Sequence, residues 1–260
     1  MIPCLIVMVD IHSHVLWGMD DGAETYEESL AILKIAAEAG TTDIVATPHS
    51  NTHYTFTPEL ISARIAQLQQ SGHPMPRIHR GCDFHLNFAN IHEASENPSK
   101  FTIDHKNYLL VEFPDVTIPV GMGRVLLQFI QSGIVPIITH PERNDALMHD
   151  PKLLAQWVEE GCLIQVTAMS LVGKFGKSAL EHAWNLMDRR LVHVVASDAH
   201  DPVRRHPRLG DARAEVARRA GEENAARLFK SNPTAVIEGR PSTAIEPMTA
   251  PRRKGFRFWS

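Results

Sequence analysis

Leu5-Ile6-Val7-Met8-Val9-Asp10-Ile11-His12-Ser13-His14 is an apolar run that ends in two histidines one residue apart, and the fold is read from it. On an extended chain, side chains at i and i+2 point to the same face, so His12 and His14 stand side by side at a strand end. Imidazoles joined by carboxylates suit one hard or borderline cation. Far along the chain, the apolar run Val192–Ala196 leads into Ser197-Asp198-Ala199-His200, which repeats the arrangement. Matching pairs at the two extremes predict that the first and last strands meet, and that the chain is a metallo-hydrolase.

Between those extremes, β-branched and apolar runs alternate with amphipathic ones. Strands are expected at Leu5–Ile11, Thr42–Thr47, Arg77–Phe84, Tyr108–Phe113, Val135–Thr139, Leu163–Thr167 and Val192–Ala196. Helical patterns cover Thr25–Ala39, Pro58–Gln70, Gly123–Ser132, Pro151–Glu160, Lys177–Arg189, Leu209–Ala220 and Glu222–Lys230. The first has Thr25 and Glu28 as a capping box and Gly40 as a stop. Strand-then-helix order implies an α/β fold of parallel strands with right-handed crossovers. An open doubly wound sheet and an incomplete barrel both fit seven strands. Ligand types at both the first and last strand favour the barrel, whose working residues gather at the carboxyl ends of its strands.

A chain of 260 residues with 43% hydrophobic content suits one globular domain, taken here as 1–241. A formal charge of -4 gives no reason to expect a nucleic-acid partner. Cys4, Cys82 and Cys162 are scattered without CxxC spacing, against a disulfide framework or a thiolate zinc site. None has an arginine six positions on, against a phosphatase with a cysteine nucleophile. Met1–Val9 is too short to span a bilayer and has no basic segment before it. It is read as strand rather than signal peptide, and the chain as cytoplasmic. The tail Ser242–Ser260 mixes prolines with Arg252-Arg253-Lys254-Gly255-Phe256-Arg257-Phe258-Trp259. A solvated terminus is the simpler reading, and contact with an anionic membrane the alternative.

Ligand types recur at the strand ends. Asp20 and Asp21 follow His14 in Gly18-Met19-Asp20-Asp21-Gly22, and His49 closes Ala46-Thr47-Pro48-His49. Asp83 lies in Gly81-Cys82-Asp83-Phe84-His85, Glu112 in Leu110-Val111-Glu112-Phe113-Pro114, and His140 opens His140-Pro141-Glu142-Arg143. Singly, His49 or His140 reads as an ordinary structural histidine, and Asp20 and Asp21 as turn residues. Glu112 in an apolar run is harder to dismiss, because an unpaired buried carboxylate is costly. It is the joint pattern that points to a metal site. His85 shares a face with Asp83 and is a candidate to orient it.

These motifs together resemble the polymerase and histidinol phosphatase (PHP) superfamily. Within it, the chain is similar to the bacterial manganese-dependent protein-tyrosine phosphatases of capsule and exopolysaccharide gene clusters. The resemblance spans about residues 8–241, including Asn232-Pro233-Thr234-Ala235-Val236-Ile237-Glu238-Gly239-Arg240-Pro241. It implies a distorted (β/α)7 barrel with three metal ions. His12, His14, Asp83 and Asp198 would hold one ion. Asp83 would bridge to a second, completed by Glu112 and His140, and Asp21, His49 and His200 would hold the third. Arginines near the phosphate would be Arg143 and Arg205, with Arg204 the competing position. The family has Glu where Asp83 stands and often a second His where Ser50 stands. Its usual start just before Asp10 makes Met8 an alternative first residue.

Mixed imidazole and carboxylate ligation suits manganese, iron, cobalt or zinc, and the resemblance selects manganese. The expected chemistry is in-line attack of metal-bound hydroxide on a phosphate monoester, without a phospho-enzyme. The expected substrate is phosphotyrosine on protein, in particular the tyrosine-rich tail of a membrane-associated exopolysaccharide co-polymerase kinase. The competing readings are a small-molecule phosphoesterase such as histidinol-phosphate phosphatase, a non-catalytic PHP module and an amidohydrolase. The lack of a lysine near Glu112 opposes the carbamate-bridged form of the last.

Overall fold

The structure is a computed structural model that describes residues 6–114 and 117–245. The strands are β1 (Met8–Ser13), β2 (Thr41–Ala46), β3 (His49–Ser50), β4 (Arg77–Arg80), β5 (Asp83–His85), β6 (Tyr108–Glu112), β7 (Val135–Thr139), β8 (Leu163–Thr167) and β9 (Val194–Ala196). All pairings are parallel, in two sheets of order β1-β2-β4 and β3-β5-β6-β7-β8-β9. The parallel α/β expectation therefore holds. The third expected strand is broken in two, and the second is followed by a further short strand, β3, outside its expected range. Pro48 cannot donate to a ladder, which separates β2 from β3. Between β4 and β5, a Cβ on Gly81 would stand 2.8 Å from Val45 Cγ1, so only glycine fits.

The two sheets meet at the strand ends that carry the ligand types. Ser13 bridges Ala199 in parallel, with His14 N–H donating to Ala199 O at 2.8 Å and Asp198 N–H to His12 O at 2.9 Å. Asp10 ties the same junction, its Oδ1 accepting from Ser197 N–H at 3.0 Å. Burial pushes the Asp10 carboxyl up to about 6 against the hydrogen bonds from Ser197. The first and last strands thus lie together, as their motifs predict.

Side chains alternate across the strands. Val45, Tyr108, Leu110, Ile137, Leu163, Val194 and Ala196 pack on one face, with Ile103, Val236 and Ile237 added to the same cluster. Ile44, Leu109, Val111, Ile138, Ile164 and Val195 face the other way, toward the helices. Asp83, Glu112 and Gln165 share parity with the first set, so they continue that face at its carboxyl end. The helices follow the amphipathic stretches to within a residue or so: Tyr26–Glu38, Pro58–Gln69, Met122–Gln131, Pro151–Glu159, Gly176–Asp188 and Gly210–Ala220. Thr25 Oγ1 caps the first by accepting from Glu28 N–H at 3.2 Å. Glu28 Oε2 reaches Glu24 N–H instead of Thr25, so the box is one residue wider than its pattern.

Two expectations are corrected. Helix Phe88–Glu96, capped by Asn87 Oδ1 on Asn90 N–H, was not anticipated. The stretch expected as one helix at Glu222–Lys230 is α-helical only to Ala226, then a π-helical turn Arg227–Ser231 and a further helix Asn232–Glu238. Cys82 and Cys162 are buried free thiols, and Cys4 lies outside the described residues. So does the basic-aromatic part of the tail, 246–260. Among the described residues no helix is long and apolar enough to cross a membrane.

Candidate metal centre

The structure brings all nine candidate ligands into one cluster, most of them at or just beyond the carboxyl ends of strands, with His49 and Asp83 at the starts of β3 and β5. His12 is the last residue but one of β1, with His14 just beyond the strand; Asp83 opens β5 and Glu112 ends β6; Asp198 and His200 follow β9. Three sets of ligand atoms lie within 4.8 Å of one another: His14, Asp21, His49 and His200; His12, His14 and Asp83; His49, Asp83 and Glu112. Asp83 Oδ2 is central, 3.4 Å from His12 Nε2 and 3.3 Å from His49 Nδ1. Asp198 Oδ1 lies 3.5 Å from Nε2 of both His12 and His14. His140 Nε2 lies 3.6 Å from Glu112 Oε1. This grouping differs from the ligand sets that the resemblance implies. His14 and His49 each stand in two groups, and His49 turns one nitrogen to Asp21 at 3.4 Å and the other to Asp83.

Hydrogen bonds behind the ligands fix which way three imidazoles point. His12 Nδ1 donates to Gln165 Oε1 at 2.9 Å, His14 Nδ1 to Asp20 Oδ2 at 2.6 Å and His200 Nδ1 to Asp198 O at 3.0 Å. Each partner is an acceptor only, so each Nδ1 carries the proton and each Nε2 lone pair faces inward. Asp20 is itself held by N–H groups of Gly22 and His49, both at 3.0 Å. Gly22 packs so closely on His14 that a Cβ there would stand 2.1 Å from His14 O.

Those lone pairs need a cation between them. The Nε2 atoms of His12 and His14 are 3.2 Å apart, and neither carboxylate oxygen of the fully buried Asp83 has a hydrogen-bond donor. A buried carboxylate whose oxygens accept no hydrogen bond costs about 1–3 kcal/mol or more. The donor set of imidazole nitrogens and carboxylate oxygens fits a divalent ion. Burial alone would lower the His12 and His14 imidazoliums. Asp83 and Asp198 outweigh it at His12, and Asp20 and Asp198 at His14, so both are raised. Burial likewise opposes ionisation of Asp83 and Asp198, yet His12 beside the first and Arg143 beside the second hold them well below the carboxylate range. The cluster is poised to trade protons for metal. His140 and Asp198 also hold left-handed backbone, φ +34° and +52°, an unfavourable conformation kept where ligands are aimed.

Both expected arginines reach this cluster. Arg143 Nη2 and Arg205 Nη2 each donate to Asp198 Oδ2 at 2.6 Å. Arg204 is exposed, whereas Arg205 beside it is half-buried; Asp201 holds the backbone N–H of both. His85 pairs with Glu112 in the β5–β6 register, beside Asp83 in the same strand. The residues missed from the sequence are the supports. Gln165 was hidden in an apolar strand. Glu142, fully buried, accepts from Thr167 N–H at 2.9 Å and Ser170 Oγ at 2.7 Å and so anchors the turn that carries Arg143. Tyr54, in the loop after His49, stacks on that histidine at 6.1 Å and 14°; its place as an aromatic two residues before Phe56 carried no signal. The cluster opens to solvent on one side, where the Asp21 side chain is 49% exposed and Glu112 16%.

Comparison with known proteins gives this geometry a family. Residues 8–238 match the family described as capsular polysaccharide synthesis, CpsB/CapC. The chain is 34% identical over 197 residues to the putative tyrosine-protein phosphatase CapC of Staphylococcus aureus, covering 74% of this chain and 77% of that one. It is 31% identical to the tyrosine-protein phosphatase CpsB of Streptococcus pneumoniae, covering 88% of this chain and 98% of that one. Among solved structures it resembles one from work on YwqE of Bacillus subtilis and CpsB of Streptococcus pneumoniae, described as unique metal-dependent tyrosine phosphatases. The TM-score is 0.85 at 28% identity, covering 95% of this chain and all of the other.

Proposed function

The chain belongs to the CpsB/CapC family of capsular polysaccharide synthesis, and we propose on that footing that it is a metal-dependent phosphatase acting on phosphotyrosine in protein. The observation that carries the reading is the buried Asp83, without a hydrogen-bond donor, among inward-facing imidazole lone pairs. His12, His14, Asp21, His49, Asp83, Glu112, His140, Asp198 and His200 are the proposed metal ligands. Metal bound there would polarise the phosphoryl group and acidify the attacking water. Manganese is the proposed metal on the family resemblance, since nitrogen and oxygen donors suit iron, cobalt and zinc as well.

The chain's own contribution is charge and orientation. Arg143 and Arg205 stand on the far side of Asp198 from the imidazoles and are proposed to bind phosphoryl oxygens through their guanidinium forks. Gln165 and Asp20 keep His12 and His14 in one tautomer. The exposure of Asp21 and the opening beside Glu112 suit a phosphate carried on a peptide, which needs an approachable site. A tyrosine-rich tail of a membrane-associated kinase of polysaccharide export is the proposed substrate, and the cytoplasm the proposed location. The junctions β9–β1 and β3–β5 support reading the fold as a distorted (β/α)7 barrel. The proposed domain is 1–241, with 242–260 an appended tail.

Manganese-reconstituted protein tested on a phosphotyrosine peptide, a phosphoserine peptide and histidinol phosphate decides the substrate class. The phosphotyrosine peptide is expected to lead in kcat/KM by more than about tenfold, or about 1.4 kcal/mol. A lead of that size for histidinol phosphate would make the protein a small-molecule phosphoesterase.

A further inference from the structure

Two cationic side chains that enter the site from different strand ends lie over one aromatic ring. The guanidinium carbon of Arg143, from the turn after β7, stands 4.7 Å from the centroid of Phe175. That of Arg205, beyond β9, stands 5.9 Å from it. Both donate to the single oxygen Asp198 Oδ2, so two like charges are drawn to one point. The Nε atom of each is buried and has no hydrogen-bond partner. An aromatic face carries negative charge density and attracts both guanidiniums while competing for none of their N–H groups.

The backbone places that ring. Phe175 sits in Gly173-Lys174-Phe175-Gly176, between two glycines with φ +76° and +90°. Gly176 N–H donates to Gly173 O at 3.2 Å and Lys174 N–H to Met169 O at 2.9 Å, closing a tight turn between Ala168–Leu171 and Gly176–Asp188. Side chains other than glycine rarely adopt such φ values, so the two glycines permit the tight turn that carries the ring to the arginines.

We propose that Phe175 is a positioning residue for phosphoryl binding: its face holds the guanidiniums of Arg143 and Arg205 side by side, so that both present N–H groups to the same phosphate. This rests on the proposed reading of the two arginines as phosphate ligands. Without the ring, each guanidinium is free to swing about Asp198 Oδ2, and binding of the phosphoryl group must restore the lost order.

The test compares F175L, which keeps apolar bulk without a ring face, with F175Y, which keeps the face. Activity on a phosphotyrosine peptide and inhibition by orthophosphate are measured with manganese-loaded protein, in the wild-type background and with R143A and R205A combined. F175L is expected to lower kcat/KM and weaken orthophosphate inhibition, each by about tenfold, while F175Y stays within about twofold. In the double-arginine background F175L is expected to cost nothing further, because a residue that acts through the arginines has nothing left to position. Wild-type behaviour of F175L, or an undiminished penalty without the arginines, would overturn the inference alone. If removing both arginines leaves turnover and orthophosphate inhibition intact, the inference falls together with the phosphate reading on which it rests.

Discussion

Arg143 and Asp198 meet through one oxygen: Nη2 donates to Oδ2 at 2.6 Å, while Oδ1 of the same carboxylate faces His12 and His14 at 3.5 Å. Asp198 therefore joins the proposed metal cluster to the proposed phosphate-binding arginines. The D198N variant is expected to weaken manganese and orthophosphate binding together, by about 3 kcal/mol or more where a buried charge pair is broken. Calorimetric titration of each ligand measures this, and unchanged manganese affinity would refute the shared role.

Gln165 acts from behind His12. Replacing it by leucine strips the acceptor from a buried Nδ1–H. Manganese affinity is expected to fall about 10- to 100-fold, as for other groups that orient a ligand. Equal affinity in Q165L and wild type would show that His12 is oriented by something else.

Gly22 is a steric requirement. In G22A the new methyl group would collide with His14 O, and the loop that carries Asp20 and Asp21 must move. A loss of about 1–3 kcal/mol in urea unfolding is expected, with weaker metal binding. A change below about 0.5 kcal/mol would mean the loop yields freely.

Acid should unfold the protein partly through His193, away from the metal cluster. Burial lowers its imidazolium from 6.5 to about 4, and its Nδ1 accepts from Ile164 N–H at 3.2 Å, which requires the neutral ring. The folded value lies below the unfolded one, so the stability at stake is fully present above pH 6.5 and is lost as pH falls from there toward 4. The loss is on the order of 3 kcal/mol when complete. Urea midpoints between pH 7 and 4 should fall less steeply in H193Q. An equal slope would assign the acid sensitivity elsewhere.

Metal removal should be felt by the whole fold, because the proposed ligands come from β1, β3, β5, β6 and the segments after β7 and β9. Manganese at 100 times its dissociation constant is expected to add about 2.7 kcal/mol to the stability of chelator-treated protein. An unfolding transition indifferent to metal would argue against a site that spans those strands.

Much of this arrangement was legible because ligand chemistry is written in residue types at strand ends. His12 and His14 at one end of the chain and Asp198 and His200 at the other predicted the β1–β9 junction that Ser13 and Ala199 form. Pro48 and Gly81 were visible, but the extra strand β3 and the splitting of the third strand depend on how neighbouring ladders register, which no local pattern carries. The supports were illegible for a different reason. Gln165 is one amide in an apolar run, and Phe175 one aromatic in a loop; both matter through partners more than 20 residues away in sequence. The division of His14 and His49 between groups is likewise a matter of side-chain direction, which spacing alone does not set.

Anomalous scattering from a crystal of the manganese-loaded protein, collected at the metal's absorption edge, tests the central claim most directly. The account predicts peaks at metal–ligand distance from Asp83 and Asp198, between the imidazoles of His12, His14, His49 and His200. Peaks confined to surface carboxylates, with none among those side chains, would contradict it.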